Sequence, residues 1–230
     1  MTALRDAAVG SDLHSALSGA PLPLLGILAV LALAPFAVVM LTSFSKIAIV
    51  LAMLRSALGT QQAPPTIVLT GLAAVLTAHI MAPVAEATTA AAKGVGDWEL
   101  SSQALETNLT VAGQPLKAFL IQHGAREERE RFVALGRELR PVEAADTVSE
   151  DDLTVIVPAF VITELKEAFV IAFMLFLPFL LLDMLVANVL LALGMQTLTP
   201  TQVSLPFKVL LFVAIDGWGL LSRGLVLGYR

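Results

Sequence analysis

Apolar stretches occupy both ends of this chain, and a polar stretch separates them. Residues 20–85 and 153–230 are mostly Leu, Val, Ala, Ile, Phe and Met, whereas residues 86–152 hold 20 of the 33 charged side chains. Residues 1–19 form a polar leader. Long apolar runs are typical of membrane helices, and polar segments between them face water. The pattern therefore predicts an integral membrane protein with one water-facing insert at 86–152.

The first apolar block predicts a helical hairpin. Residues 22–58 would be about 55 Å long as one helix, which exceeds the hydrocarbon core of a bilayer, and Pro35 is the expected kink. Gly59 is expected to end this helix, and a turn with a Pro-Pro pair follows, up to Pro65. The returning helix is predicted from Thr66 to Ala85.

The polar insert is predicted to be helical as well. Pro115 is suited to open a helix, because proline is tolerated in a first helical turn. Residues 126–140 alternate opposite charges and carry apolar side chains at helical spacing, which predicts an exposed amphipathic helix. We interpret its charged side as a solvated face, with a contact between subunits as the alternative.

The second apolar block predicts a second hairpin. Its first helix covers about 159–193 and is expected to be interrupted at Pro178. A turn at Gly194–Pro200 follows, and one final helix is predicted over 202–227. The predicted fold class is therefore all-α, with two long helical hairpins separated by a polar helical insert.

Composition excludes several classes of protein. The chain is 57% hydrophobic and 14% charged, with a mean hydropathy of +0.84, whereas a soluble domain carries about 25% charged residues. Without cysteine, disulfides, thiolate zinc sites and cysteine nucleophiles are impossible. No basic stripe points to nucleic acid, and no catalytic or nucleotide-binding motif is present. We therefore expect no enzymatic activity, no cofactor and no metal.

Charges inside the apolar blocks are the candidate functional residues, since an unpaired charge in hydrocarbon is costly. Glu164 and Glu167 share one helix face, while Lys166 points elsewhere. We expect another helix or subunit to supply their counter-charge from one of three residues: Lys46, Arg55 or Lys208.

Two further acids, Asp183 and Asp216, are nearly symmetric about the second turn and are expected to approach each other. The buried acids are interpreted either as a proton or ion pathway or as polar contacts that fix helix register in an assembly. We favour the second interpretation, because no ordered series of acids and histidines follows one helix. His79 is likewise either a proton relay or a hydrogen-bonding partner of a neighbouring helix.

Basic residues near the turns predict the orientation. Lys46 and Arg55 lie near the first turn and Lys208 lies near the second, without an acidic residue as close. Because cytoplasmic loops are enriched in Lys and Arg, both turns are expected to face the cytoplasm. The insert and both termini would then face outward. An uncleaved first span is favoured over a signal peptide, because its apolar run is too long.

Several long strings resemble the FliP/SctR family, which includes YscR-like and HrcR-like proteins. They are Leu54-Arg-Ser-Ala-Leu-Gly-Thr-Gln-Gln-Ala-Pro-Pro65, Pro158-Ala-Phe-Val-Ile-Thr-Glu-Leu-Lys-Glu-Ala-Phe169 and Ser204-Leu-Pro-Phe-Lys208. These strings lie in both hairpins, whereas the insert carries none. Members of this family are membrane proteins of the type III secretion export gate, found in flagella and injectisomes.

The resemblance implies a core pore-forming subunit that conducts unfolded substrate proteins across the bacterial inner membrane. It implies a homo-oligomer, a pentamer, that assembles into a helical gate with two other small membrane subunits and a large export-gate subunit. The chain would be multi-pass, with the insert and termini toward the periplasm. The lack of a signal peptide favours an injectisome. A proton-coupled membrane transporter subunit using intramembrane carboxylates remains the alternative, and a membrane-anchored receptor with a partner-binding insert is another.

The resemblance also implies roles for individual residues. Family members have a methionine-rich constriction in the turn that matches Gly194–Pro200, but this chain has only Met195 there. We expect Met195, Gln196 and Leu198 to form the pore constriction, with Leu198 sharing the seal. The charges that match family strings are expected to form salt bridges between subunits: Glu164, Lys166 and Lys208.

Overall fold

The computed structural model describes residues 21–60, 63–94, 102–141, 144, 146–195 and 197–230. Within these residues the chain forms eight helices and no strand, which confirms the all-α prediction. The helices are, in chain order, α1 (Pro21–Met40), α2 (Phe44–Ala57), α3 (Thr66–Gly94), α4 (Ser102–His123), α5 (Arg126–Glu138), α6 (Leu153–Ala192), α7 (Pro200–Ala214) and α8 (Gly217–Leu227). The chain divides into two units, Met1–Val39 and Met40–Arg230.

The first arm of the hairpin breaks after Met40, whereas a kink was predicted at Pro35. Helix α1 runs through Pro35 to Met40, and a short break precedes α2. In this break the Thr42 hydroxyl oxygen accepts a hydrogen bond from the Phe44 amide at 3.3 Å. Short hydroxyl side chains that bond nearby backbone compete with the helical ladder, which explains why the helix stops here.

The first turn agrees with the prediction, but the helix after it is longer than predicted. Gly59 has φ +77°, a left-handed conformation that glycine adopts without steric cost. Helix α3 starts at Thr66 and continues past Ala85 to Gly94. The small residues after Ala85 favour helix, so the predicted insert boundary at 86 falls inside α3.

In the insert, one prediction is wrong and one is confirmed. Pro115 lies inside α4, which begins at Ser102, so it does not open a helix. The charged segment forms α5, Arg126–Glu138, close to the predicted range.

Helix α6 is a single helix of 40 residues and is not interrupted at Pro178. At 1.5 Å per residue it is about 60 Å long. A proline inside a helix removes one backbone hydrogen bond, but neighbouring packing compensates when the flanking residues are anchored. Phe179, directly after this proline, is buried in the core.

The returning arm of the second hairpin is two helices, not the single helix predicted. Helices α7 and α8 meet at a bend of 61°. At the bend Asp216 is left-handed with φ 51°, and a Cβ at Gly217 would lie 2.3 Å from the Phe212 ring. The close approach of an aromatic ring to a glycine backbone therefore defines this corner.

Helix α2 supplies much of the core of the unit Met40–Arg230. Ile47, Val50 and Leu54 are fully buried, and Ile156 and Phe160 of α6 belong to the same core. These α2 residues recur three or four apart, so they form one apolar stripe. This packing sets the first hairpin beside the second.

Two helices, α3 and α6, are long and apolar enough to cross a membrane. Two bent pairs pass the same test together: Leu31–Met40 with α2, and α7 with α8. By length and composition, the described residues therefore offer two to four spans.

Candidate functional site

One turn of α6 carries three of the charges that lie in the second apolar block: Glu164, Lys166 and Glu167. Glu164 is 1% exposed, whereas Glu167 is 51% exposed and Lys166 is 55% exposed. Because Glu164 and Glu167 lie three residues apart, they share one helix face, as predicted.

Lys46 of α2 forms a salt bridge with each of the two acids. Its Nζ donates to Glu164 Oε1 at 3.0 Å and to Glu167 Oε2 at 2.7 Å, and Lys46 itself is 3% exposed. Of the three cations proposed from the sequence, the structure selects this one. The pairing lies within one chain, so a role of Glu164 between subunits stays a prediction.

Tyr229, after α8, completes this site and was not among the candidate residues predicted from the sequence. Its hydroxyl donates to Glu164 Oε2, and Lys46 Nζ lies 4.0 Å from its ring centroid. The four residues Lys46, Glu164, Glu167 and Tyr229 are called the Lys46 cluster below. A usable signal existed, since Tyr229 is the only tyrosine of the chain and a tyrosine beside an apolar helix needs a polar partner.

Aromatic residues of α4 flank the Lys46 cluster. Phe119 stacks on the Tyr229 ring at 6.0 Å, and His123 meets the same ring edge-on at 5.0 Å. Burial, and next the positive charge of Lys46, lower the pKa of the His123 imidazole below its ordinary value of 6.5. The neutral imidazole is therefore favoured beside the cluster.

Lys166 joins the insert to α6. Its Nζ donates to Glu128 Oε1 of α5, and Arg131 Nη1 donates to the same oxygen at 3.0 Å. Glu128 is buried. The interpretation of the charged side of α5 as a solvated face is therefore wrong for this residue. The Ala125 amide also donates to Thr163 Oγ1 at 2.9 Å, which fixes the start of α5 against α6.

A second buried lysine ties the two hairpins together. Lys208 of α7 is 2% exposed, and its Nζ donates to Asp183 Oδ2 at 2.7 Å and to the Ala57 carbonyl at 3.0 Å. The Ser204 hydroxyl donates to the other oxygen of Asp183. Lys208 therefore caps the end of α2, where orphan carbonyls favour a cation.

The expected approach of Asp183 to Asp216 is not what the structure shows. Asp183 is bound to Lys208 and Ser204, whereas the Asp216 side chain lies over Gly219 in the first turn of α8. The bend before α8, absent from the single predicted helix, gives Asp216 these different neighbours.

Arg55 and His79 are not members of the Lys46 cluster. Arg55 Nη1 donates to Thr66 Oγ1 at 2.8 Å, across the first turn. His79 is exposed on α3, and its two interpretations, as a proton relay or as a hydrogen-bonding partner of a neighbouring helix, stay predictions. Among the described residues, no group of three or more His, Asp or Glu side chains could hold a metal ion.

The second turn presents apolar side chains to the outside. Met195 is 45% exposed and Leu198 is 44% exposed, next to Gly194 with φ +71°. Gln196 lies outside the described residues. Met195 and Leu198 are thus accessible for contacts beyond this chain, and the role of the predicted constriction as a seal stays a prediction.

The buried charges of the described helices connect separate parts of the fold. Buried charges are paired, lysine to carboxylate, and the pairs join α2, α5, α6, α7 and the segment after α8. Buried polar contacts fix helix register in membrane assemblies, and this role stays a prediction for these pairs.

Comparison with known proteins connects nearly the whole chain to one family. The model of the FliP family matches residues 27–225. The match includes both hairpins, the insert and the Lys46 cluster except Tyr229.

Curated relatives are similar over most of their length. The chain is 44% identical over 208 residues to the pathogenicity-related ORF2 protein of Xanthomonas campestris pv. glycines, covering 90% of this chain and 96% of that protein. It is 42% identical over 207 residues to the hypersensitivity response secretion protein HrcR of Ralstonia nicotianae, covering 87% and 93%. It is 43% identical over 208 residues to the flagellar biosynthetic protein FliP of Caulobacter vibrioides, covering 90% and 76%.

Proposed function

Because this chain belongs to the FliP family, we propose that it is a core pore-forming subunit of a type III export gate that conducts unfolded proteins across the bacterial inner membrane. The coarser role is that of its relatives, which are named as secretion and flagellar proteins: a structural membrane protein of an export apparatus, not an enzyme. The observation that carries the proposal is a family match over almost the whole chain.

The apolar surface supports assembly with other chains. Helix α6 exposes a long series of large apolar side chains, among them Phe173, Met174, Leu181 and Leu185. At about 60 Å, α6 is twice as long as the hydrocarbon core, so lipid alone does not account for its whole apolar surface. We propose that neighbouring copies in a pentamer, two other small membrane subunits and the large export-gate subunit cover the rest.

We propose that the second turn lines the pore. Five copies of the exposed Met195 and Leu198 around one axis would form an apolar ring, and we assign Gln196 to the same constriction from its place in the sequence. An apolar constriction hinders water and ions while the gate is empty. Methionine suits such a ring, because its flexible side chain adapts to different passing segments.

The proton-coupled transporter has less support. Glu164, Glu167 and Asp183 are each bound to a lysine, so these acids already have charged partners in the resting fold. If the isolated subunit conducts protons in liposomes and Glu167→Gln abolishes this flux, the transporter would be favoured over the export-gate subunit.

The proposal is tested by deletion and complementation in the host bacterium. We expect loss of type III substrate secretion in the deletion strain and its return with the wild-type gene. Native mass spectrometry of the detergent-solubilised chain should give a discrete oligomer of about five copies. Unchanged secretion after deletion would contradict the proposal, as would a monomer that the companion subunits fail to assemble.

Two variants of the second turn test the seal. We expect Met195→Ala and Leu198→Gly each to raise leakage of small solutes through the assembled gate, because each shortens the apolar side chains of the ring and widens its opening. Val213→Ala on α7 is the control, since it removes an exposed apolar side chain away from the turn. Leakage equal to wild type in both turn variants would contradict the proposal that the second turn lines the pore.

A further inference from the structure

Tyr229 meets three other parts of the chain. Its hydroxyl donates to Glu164 of α6, its ring lies 4.0 Å from Lys46 Nζ of α2, and it stacks on Phe119 of α4. The residue lies two positions after the last residue of α8. One side chain thus connects the returning arm of the second hairpin to helices far away in sequence.

The chemistry of Glu164 gives this contact its importance. One carboxylate oxygen accepts from Lys46 and the other accepts from Tyr229. Because Lys46 also serves Glu167, a single ammonium group faces two carboxylates. A buried carboxylate oxygen without a donor is costly, so the phenol supplies what the shared lysine cannot.

We propose that Tyr229 is a positioning residue, which holds the end of α8 against α2 and α6 by donating to Glu164 and covering Lys46 with its ring. The expected effect of Tyr229 on protein export rests on the proposed function. Helices α7 and α8 follow the second turn, so fixing the end of α8 keeps this arm in register while the turn contacts a passing substrate. Tyr229→Phe is therefore expected to lower export without preventing insertion.

The first test uses the phenol itself. Burial, and next the carboxylate of Glu164, raise the pKa of Tyr229 above its ordinary value of 10.0. The charged and titratable groups that face it are Lys46, Glu164, Glu167 and His123. Because the chain has one tyrosine, the ultraviolet absorbance of phenolate reports this residue alone.

We expect the full chain in detergent to show no phenolate until well above the pH at which free tyrosine titrates, about 10. Glu164→Gln should lower this pH, since it removes both the hydrogen-bonded carboxylate and its charge. Tyr229→Phe is the blank without phenolate signal. Titration of the wild-type chain at the pH of free tyrosine would overturn the proposal.

The second test measures, by amide hydrogen exchange, how strongly Tyr229 stabilises α8. Tyr229→Phe keeps the ring stacked on Phe119 but removes the donor, and we expect amide hydrogens of α8 to exchange about 10- to 100-fold faster. Ser222→Ala is the matched control, because that hydroxyl bonds only carbonyls of its own helix, at Trp218 and Gly219. Its exchange should equal that of the wild type.

A double variant separates positioning from general loosening. In the Glu164→Gln background, Tyr229→Phe should change α8 exchange much less than in the wild type, because the carboxylate that needs the donor is absent. Equal effects in both backgrounds would overturn the proposal, as would unchanged α8 exchange in Tyr229→Phe.

The two proposals fail in different ways. If the wild-type gene does not restore secretion, the export function fails, whatever the phenol titration shows. If secretion is restored but Tyr229 titrates like free tyrosine, only the positioning role fails.

Discussion

At the scale of single residues, buried lysines show what a sequence can and cannot specify. Lys46 and Lys208 lie in apolar helices, so each needs a partner, and this was predictable. The choice of partner was not, because Lys46, Arg55 and Lys208 were equivalent candidates in the sequence. The fold pairs Lys46 with Glu164 and Lys208 with Asp183, and it leaves Arg55 to bond Thr66.

Removal of Lys46 should be the most damaging change in its cluster. Lys46→Ala leaves Glu164 as a buried carboxylate without a counter-charge, which is expected to cost about 3–5 kcal/mol of unfolding free energy. Denaturant unfolding of the purified chain in detergent measures this loss of unfolding free energy.

Glu167→Gln is the comparison for this variant. Since Glu167 is half-exposed, its loss should cost at most about 1 kcal/mol. Equal losses in the two variants would mean that Glu164 does not depend on Lys46.

The contact of α5 with α6 should weaken in acid. The hydrogen bond from Lys166, and next the charge of Arg131, lower the pKa of Glu128 below its ordinary value of 4.5. Because the folded pKa is the lower one, this stabilisation is fully present above pH 4.5 and is lost as the pH falls through the lowered value.

This pH dependence is measured as the denaturant midpoint at decreasing pH. Glu128→Gln should flatten the acid branch of the profile. Glu130→Gln, on the exposed side of the same helix, should leave it as in the wild type. An unchanged acid branch in Glu128→Gln would show that Glu128 does not carry the effect.

At the scale of helices, glycine was a better guide than proline. Gly59 and Gly194 have positive φ and end helices where the sequence predicted. Pro35, Pro115 and Pro178 all lie inside helices, although two were expected to bend or interrupt one and the third to begin one. A left-handed turn requires glycine locally, whereas surrounding packing compensates the bond that a proline removes.

A pair of glycine substitutions tests this account. Gly59→Ala places a Cβ at φ +77° and should destabilise the chain by about 1–2 kcal/mol. Gly71→Ala, inside α3 with no atom within 4 Å of the new Cβ, should raise helix stability by about 0.5–1 kcal/mol. Thermal unfolding of both variants in one detergent measures the difference, and a stabilised Gly59→Ala would contradict it.

At the scale of the whole molecule, orientation in the membrane follows from very few charges. The prediction places the insert in the periplasm and both turns in the cytoplasm. Because the chain has no cysteine, single cysteines can be read without background labelling. Ser149→Cys in the insert and Thr197→Cys in the second turn are suitable, as both residues are exposed.

We expect a membrane-impermeant maleimide to label Ser149→Cys in intact spheroplasts. Thr197→Cys should be labelled only after lysis, because it faces the cytoplasm. The opposite pattern would invert the whole topology, and with it the side from which substrates meet the second turn.

The sequence by itself determined the helical class, the two apolar hairpins, the two glycine turns and the family, because these depend on local pattern and long matching strings. Only the tertiary structure decided which charges pair. It also decided that Glu128 of α5 is buried and bonded to Lys166, and that Tyr229 belongs to the Lys46 cluster. These contacts join residues far apart in sequence, as between Lys46 and Tyr229 and between Lys208 and Ala57, which are 151 positions apart. Apolar periodicity says which face of a helix is buried, but side-chain pairing requires the distances that packing sets.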